Sequence, residues 1–208
     1  MQVPAGDTDT RSAILAAAAE LFASGGQSGT TIKQIGGQAG VNPALIYYYF
    51  DDKAALYDAV VSELMGSLPV RLLEAAAPAE SPREALASVI RQQASLYLEQ
   101  PLLPRLVLRE LADHDGGRAT PLLSEPARQL FGGMIGLIRR GQQEGLFRTD
   151  LQPHYAAISC LSQLNWYFVS RPLMQALMGG GDGARRSLAV EEFAEHVVQF
   201  TLAALEVR

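Results

Sequence analysis

At 208 residues the chain can hold one large domain or two small ones around a sizeable core, and its 48% hydrophobic content is too high for a disordered protein. The formal net charge is −5, the only cysteine is Cys160, and no apolar run nears the ~18 residues of a membrane span. An internal disulfide and a spanning helix are therefore excluded. The opening MQVPAGDTDTR lacks the basic start and apolar core of a signal peptide, so a cytoplasmic, reducing setting is expected, with no membrane partner.

The first predicted helix runs from about Thr8 to Ser24, with Ile14, Leu15, Ala18, Leu21 and Phe22 on one apolar stripe, and Gly25-Gly26 stops it. Thr31 can then cap a second helix, and Gln34 three residues later completes a capping box. Ala39-Gly40-Val41 ends that helix, Gly40 being free to take the left-handed conformation a sharp turn needs. Asn42 caps a third helix with Pro43 at its first position, where the missing N–H costs nothing. Ile46 and Phe50 point inward, while Pro43, Ala44, Leu45, Tyr47 and Tyr48 point largely outward. Three consecutive tyrosines span ~200° of a helix, so Tyr47, Tyr48 and Tyr49 cannot share one buried face. Asp52 caps the next helix, directly before Lys53. The pattern is a helix-turn-helix with all its punctuation.

A connecting helix is expected from about Lys53 to Ala76, with Pro69 kinking or breaking it. Further helices are predicted near 82–99, from Pro101 to His114, over 121–144, from Asp150 with Pro172 interrupting, and over 187–206. On the 121–144 helix Ala127, Leu130, Phe131, Met134 and Ile138 are expected to face in, and Leu146-Phe147 to dock the chain back. The GGGDG run, Gly179 to Gly183, lacks a Lys-Ser/Thr and a preceding strand, so it reads as a connector and not a phosphate cradle. No strand-period segment occurs. The expected fold is all-α, about nine helices, with a helix-turn-helix head over residues 1–55 and a helical body over 56–208.

The run T-x-x-x-I-x-x-x-A-G-V-N-x-x-x-I-Y-Y-Y-F-x-x-K-x-x-L, Thr31 to Leu56, resembles the N-terminal signature of the TetR family of bacterial transcriptional regulators. Asn42 and Asp52 stand where the family usually has serine, and both keep the capping chemistry. The segment G-x-x-x-G-L-F-R-x-D from Gly141 to Asp150 is similar to the corresponding junction in the family. The resemblance implies a repressor that binds a palindromic operator in double-stranded DNA, releases it on binding a small, mostly apolar effector, and needs no cofactor. It assigns backbone contacts to Tyr47 and Tyr49, with Tyr48 beside them, and places Thr31, Lys33, Asn42, Pro43, Ala44, Leu45 and Lys53 at the DNA surface. It also implies an effector cavity in the body, for which Tyr97, Phe131 and Trp166 supply aromatic candidates and Arg109 or His114 a polar end. The last predicted helix is apolar on more than one face, and a homodimeric four-helix bundle formed with the helix before it would bury the excess.

Charge is out of step with this reading. Residues 1–56 hold three basic side chains (Arg11, Lys33, Lys53) against five acidic ones (Asp7, Asp9, Glu20, Asp51, Asp52). Phosphates can still be held by helix N-termini and backbone N–H groups. Pro43, Ala44 and Leu45 can touch a thymine methyl but cannot make the bidentate bonds that discriminate guanine or adenine. A competing reading comes from Glu110 and His114, which lie at i, i+4 and have the spacing of a metal pair, as in a helical enzyme or metal-binding protein. A solvated helix terminus, where a histidine meets the negative end of the dipole, explains that pair better, and no hydrolase or zinc motif accompanies it. A regulator of the same fold without a small-molecule inducer is the other alternative.

Overall fold

The computed structural model describes residues 5–113, 124–183 and 188–207, and among them the architecture is all-α. The elements are α1 (Ala5–Gly29), α2 (Ile32–Ala39), α3 (Pro43–Tyr49), α4 (Lys53–Met65), α5 (Leu68–Ala76), α6 (Pro82–Glu99), α7 (Leu103–Asp113), α8 (Glu125–Gln143), α9 (Pro153–Leu177) and α10 (Val190–Leu205). An isolated antiparallel bridge joins Phe147 to Glu206.

The head is built as its local signals require. Ile14, Ala18 and Phe22 of α1, Ile35 of α2 and Ile46 of α3 are fully buried, and Phe50 closes the set. The first helix runs on through Gly29, but Gly26, at φ 71° and ψ 174°, kinks it where a stop was expected. Thr31 and Gln34 form the capping box, and Gly40 takes the left-handed conformation at φ 69°. Gly36 has a role the sequence did not announce: a Cβ there would lie 2.9 Å from the Val41 carbonyl oxygen and 3.2 Å from Pro43 Cγ. The crossing of α2 and α3 needs that missing atom.

The connecting helix breaks into α4 and α5 at Gly66-Ser67, because Pro69 has no N–H to return to the Met65 carbonyl. In the body, α5 packs on α6 and α8, α10 packs on α6 and α9, and α8 lies against α9. The seventh helix bridges outward, touching α9 on one side and α1 and α4 on the other. Pro172 does not interrupt α9: it sits exposed within the helix, so its lost N–H is spent on the solvent side. Gly179, Gly180 and Gly181 are all at positive φ, and the first two end the helix through N–H bonds back to Ala176 and Gln175.

Two expectations about facing fail. The buried side of α8 is Leu130, Met134 and Ile138, and Phe131, one position round, is exposed. Phe147 docks as expected against Gly141, but Leu146 stays exposed.

Candidate functional site

The outward surface of the head is set by what its caps consume. Asn42 Oδ1 accepts the Ala44 N–H at 2.9 Å and Asp52 Oδ1 accepts the Ala55 N–H at 2.7 Å. Thr31 Oγ1 accepts from Gln34 N and donates to Gln34 Oε1. Asn42 and Thr31 are therefore first of all helix caps, holding α2 and α3 in register. With Ile46 buried, α3 presents Ala44, Leu45 and Tyr47 to solvent, and Tyr48 is 75% exposed. Pro43 and Tyr49 are half-buried, and the Tyr49 ring meets that of Tyr48 edge-on at 5.2 Å. A capped short helix with an apolar and phenolic outer face can enter a groove and lay hydroxyls on its phosphate walls.

The head's cations are not equally available. Lys53 Nζ donates to the Thr30 carbonyl at 2.9 Å, and the Arg11 guanidinium lies 5.3 Å from the centre of the Phe50 ring. Lys33 is exposed on α2. Of the three, Lys33 is displayed most openly, and Lys53 serves the fold before it serves any phosphate.

In the body, the four described residues expected around an effector do not converge. Tyr97 is buried in the core, donating to Asn165 Oδ1 and accepting from Gln93 Nε2, with Phe168 edge-on at 5.2 Å. Burial pushes its phenol up to about 12. Arg109 reaches the other way and donates to the Ser24 carbonyl at 2.7 Å. Phe131 is exposed on α8, Trp166 is 66% exposed on α9, and His114 lies outside the described residues. Sequence reading missed Gln93, whose side chain is buried with Oε1 lacking a partner among the described residues. Its only signal was a polar residue on the apolar face of α6.

Of the Glu110/His114 pair, His114 lies outside the described residues and only Glu110 is placed. Glu110 is buried and accepts a hydrogen bond from the Tyr57 hydroxyl at 2.5 Å. Among the described residues no group of three or more His, Cys, Asp or Glu side chains could hold a metal. No helix among them is long and apolar enough to cross a membrane.

A second surface stands out on α9 and α10. Tyr155, Ile158, Trp166, Leu173 and Leu177 are exposed, and at 100° per residue they share one side of α9. On α10, the rings of Phe193, His196 and Phe200 follow one another at 5.9 Å in tilted contact, and Val207 just beyond the helix is also exposed. Between the helices lies a mainly apolar hollow of about 380 Å³ bordered by Tyr155, Ser159, Cys160, Gln163, Phe200 and Ala204.

Residues 14–60 match the profile described as bacterial regulatory proteins, tetR family, and residues 82–200 match the tetracyclin repressor-like C-terminal domain. Among similar sequences is the HTH-type transcriptional repressor NicS of Pseudomonas putida, 28% identical over 173 residues, covering 81% of this chain and 80% of that protein. Another is the repressor SCO4008 of Streptomyces coelicolor, 24% identical over 191 residues, covering 91% of this chain and 95% of that one. Among solved structures, the ketosteroid regulator KstR2 of Mycobacterium tuberculosis superposes with TM-score 0.77 at 18% identity, covering 100% of this chain and 98% of that one. The regulator FadR of Bacillus subtilis, solved in complex with stearoyl-CoA, superposes with TM-score 0.64 at 20% identity, covering 93% and 98%. The capped helix-turn-helix, the helical body behind it and these matches agree: the chain belongs to the TetR family of helix-turn-helix, DNA-binding transcriptional regulators.

Proposed function

We propose that the chain works in the cytoplasm as a homodimeric repressor that holds a palindromic operator and lets it go when a small, mostly apolar molecule occupies the body. The observation that carries this reading is a protomer exposing two unfinished surfaces: the outer face of α3, and the apolar stripes of α9 and α10. A copy of the same chain covers the second surface by two-fold symmetry, forming a four-helix bundle in which Tyr155, Trp166 and Phe200 are buried. That pairing sets two α3 helices about one DNA turn apart, ~34–36 Å, on a palindromic site. The working division falls at 55/56, with a DNA-binding head before it and a ligand-binding, dimerising body after it.

Tyr47, Tyr48 and Tyr49 supply phosphate contacts in this scheme, with Lys33 and, secondarily, Lys53. Ala44 and Leu45 make the base contacts, so sequence selection rests on apolar contact and DNA shape more than on hydrogen bonds. For the effector, the favoured seat is beside Gln93, Tyr97 and Asn165, where a buried amide oxygen lacks a donor. A regulator of this fold solved in complex with stearoyl-CoA and another named a ketosteroid transcriptional regulator support an effector with a large apolar body. Arg109, Phe131 and Trp166 have no part in that seat.

Fluorescence anisotropy with labelled DNA from the chain's own promoter tests the first half: tight binding to a palindrome, two protomers per site, is expected. Failure to prefer any promoter sequence over random duplex at moderate salt overturns it.

A further inference from the structure

We propose that Arg109 and Glu110, consecutive residues of α7, form a two-point clasp by which the body fixes the orientation of the DNA-binding head. Arg109 is on this view a positioning residue for operator recognition, 85 residues away in sequence from the carbonyl it holds.

Three features of the joint lead there. The kink at Gly26 interrupts α1, and carbonyls beside it accept from side-chain donors. Thr30 Oγ1 donates to the Gly26 carbonyl at 2.8 Å, with that of Leu21 at 3.1 Å sharing the same proton, and Arg109 donates to that of Ser24 at 2.7 Å. A guanidinium from the body thus sits at the negative end of a head helix, where a charge-assisted bond and the helix dipole favour it together. One residue on, and ~100° round α7, Glu110 accepts from Tyr57 of α4, whose ring meets Phe22 of α1 edge-on at 5.0 Å. Phe22 and Ser24 lie on the same turn of α1, so both contacts converge there.

Packing does not duplicate the outer of these bonds. Beside Arg109 the two helices leave an open hollow of about 550 Å³, walled by Ala23, Arg105, Leu108, Ala112 and Val169. Large apolar side chains fix α1 on α4, but at this edge of the α1–α7 contact the polar bond does the holding. A shift of α7 must therefore drag α1 and α4 together or break the clasp. The body's state reaches α1 directly through Arg109 as well as along α4.

The test reads head orientation without needing DNA or the dimer. Spin labels go on Gly37→Cys in α2 and Gly136→Cys in α8, positions where an added Cβ meets nothing within 4 Å, while Cys160 is buried and stays unlabelled. Labelled chains are diluted into unlabelled ones, and the intrachain distance distribution is measured in the free protein. Arg109→Ala and Tyr57→Phe are each expected to broaden it, and Arg109→Lys, which keeps a cationic donor, to preserve the narrow distribution. On duplexes with half-sites at graded spacings, Arg109→Ala is expected to lose about tenfold in preference for the best spacing, the factor that about 1.4 kcal/mol represents. A distribution unchanged in width in both Arg109→Ala and Tyr57→Phe overturns the proposal. So does a melting temperature lowered in these variants with no change in width, because that is what a merely structural bond would give. If Arg109→Ala does not fold, Tyr57→Phe decides alone. Absence of DNA binding would count against the proposed repressor and leave the distance measurement to judge the clasp.

Discussion

Lys53 Nζ donates to the main-chain carbonyl of Thr30 at 2.9 Å, fastening the start of α4 to the corner where α1 hands over to α2. The same side chain stands at the TetR signature position that resemblance assigns to a phosphate, so one ammonium with three donors has both an inner and an outer duty. Lys53→Ala is therefore expected to do two things at once. Operator affinity should fall about equally for all sequences, and urea unfolding should show a loss of about 1 kcal/mol. A variant that loses affinity with unchanged stability would show that the Thr30 bond contributes nothing to the fold.

Leu45→Ala should behave oppositely. It sits on the outer face of α3, so stability should hardly move while the ranking of operator variants changes at thymine-bearing positions. A competition series over single-base operator variants measures this.

The salt dependence of binding should be shallow. With Lys33 and Lys53 as the phosphate-facing cations, a dimer engages four, and the slope of log K against log salt is expected to be about −4 or gentler. A slope near −10 would mean that cations outside the head reach the DNA.

Trp166 should report assembly and not effector binding. It is 66% exposed in the protomer, on the stripe proposed to face a second copy. Its emission is expected to shift to longer wavelength as the protein is diluted, and Trp166→Glu to give monomers by light scattering at micromolar concentration. Emission independent of concentration, with Trp166→Glu remaining dimeric, would move the interface elsewhere.

Gly141→Ala is expected to be among the most damaging single-methyl additions. Its Cβ would fall 2.1 Å from Phe147 Cδ2, inside a ring that is itself buried. A loss of about 3 kcal/mol follows for overpacking of that severity. Gly132→Ala on the same helix meets nothing within 4 Å, and should be neutral or stabilise by about 0.5–1 kcal/mol. Thermal unfolding of the two variants side by side checks both.

Alkaline stability should decline before the ordinary tyrosine range is passed. Burial raises the Tyr97 phenol from 10.0 to about 12 and the Cys160 thiol from 9.0 to about 11. Both groups are neutral when protonated, so the unfolded chain loses these protons first. Stability is full below pH 9 and falls as pH rises from about 9 to 12, by on the order of 2 kcal/mol for each group. Tyr97→Phe should flatten the upper half of that decline, seen as unfolding free energy at pH 8, 10 and 11.5.

Much of the head was legible from residues alone. Thr31, Asn42 and Asp52 all cap the helices assigned to them, and Gly40 turns as assigned, because each of these bonds closes within two to four positions along the chain. Local chemistry of that kind depends on no distant neighbour. The TetR signature likewise fixed the family without reference to the body.

What the sequence could not settle was which apolar residues face the core and which await a partner. Phe131 and Trp166 have the same composition signal as Met134 and Leu164, yet the first two are exposed and the second two buried, since facing is decided by the helices packed alongside. The same holds for close approaches and long-range bonds. Gly36 and Gly141 matter because another backbone or ring comes to within a methyl's reach. Lys53 and Arg109 bond carbonyls 23 and 85 residues away. Order along the chain determined the helices, their caps and the family they announce. Only the tertiary structure decided which side chains meet, because those contacts arise when separate helices are brought together and each surface is filled, or left open, by its neighbours.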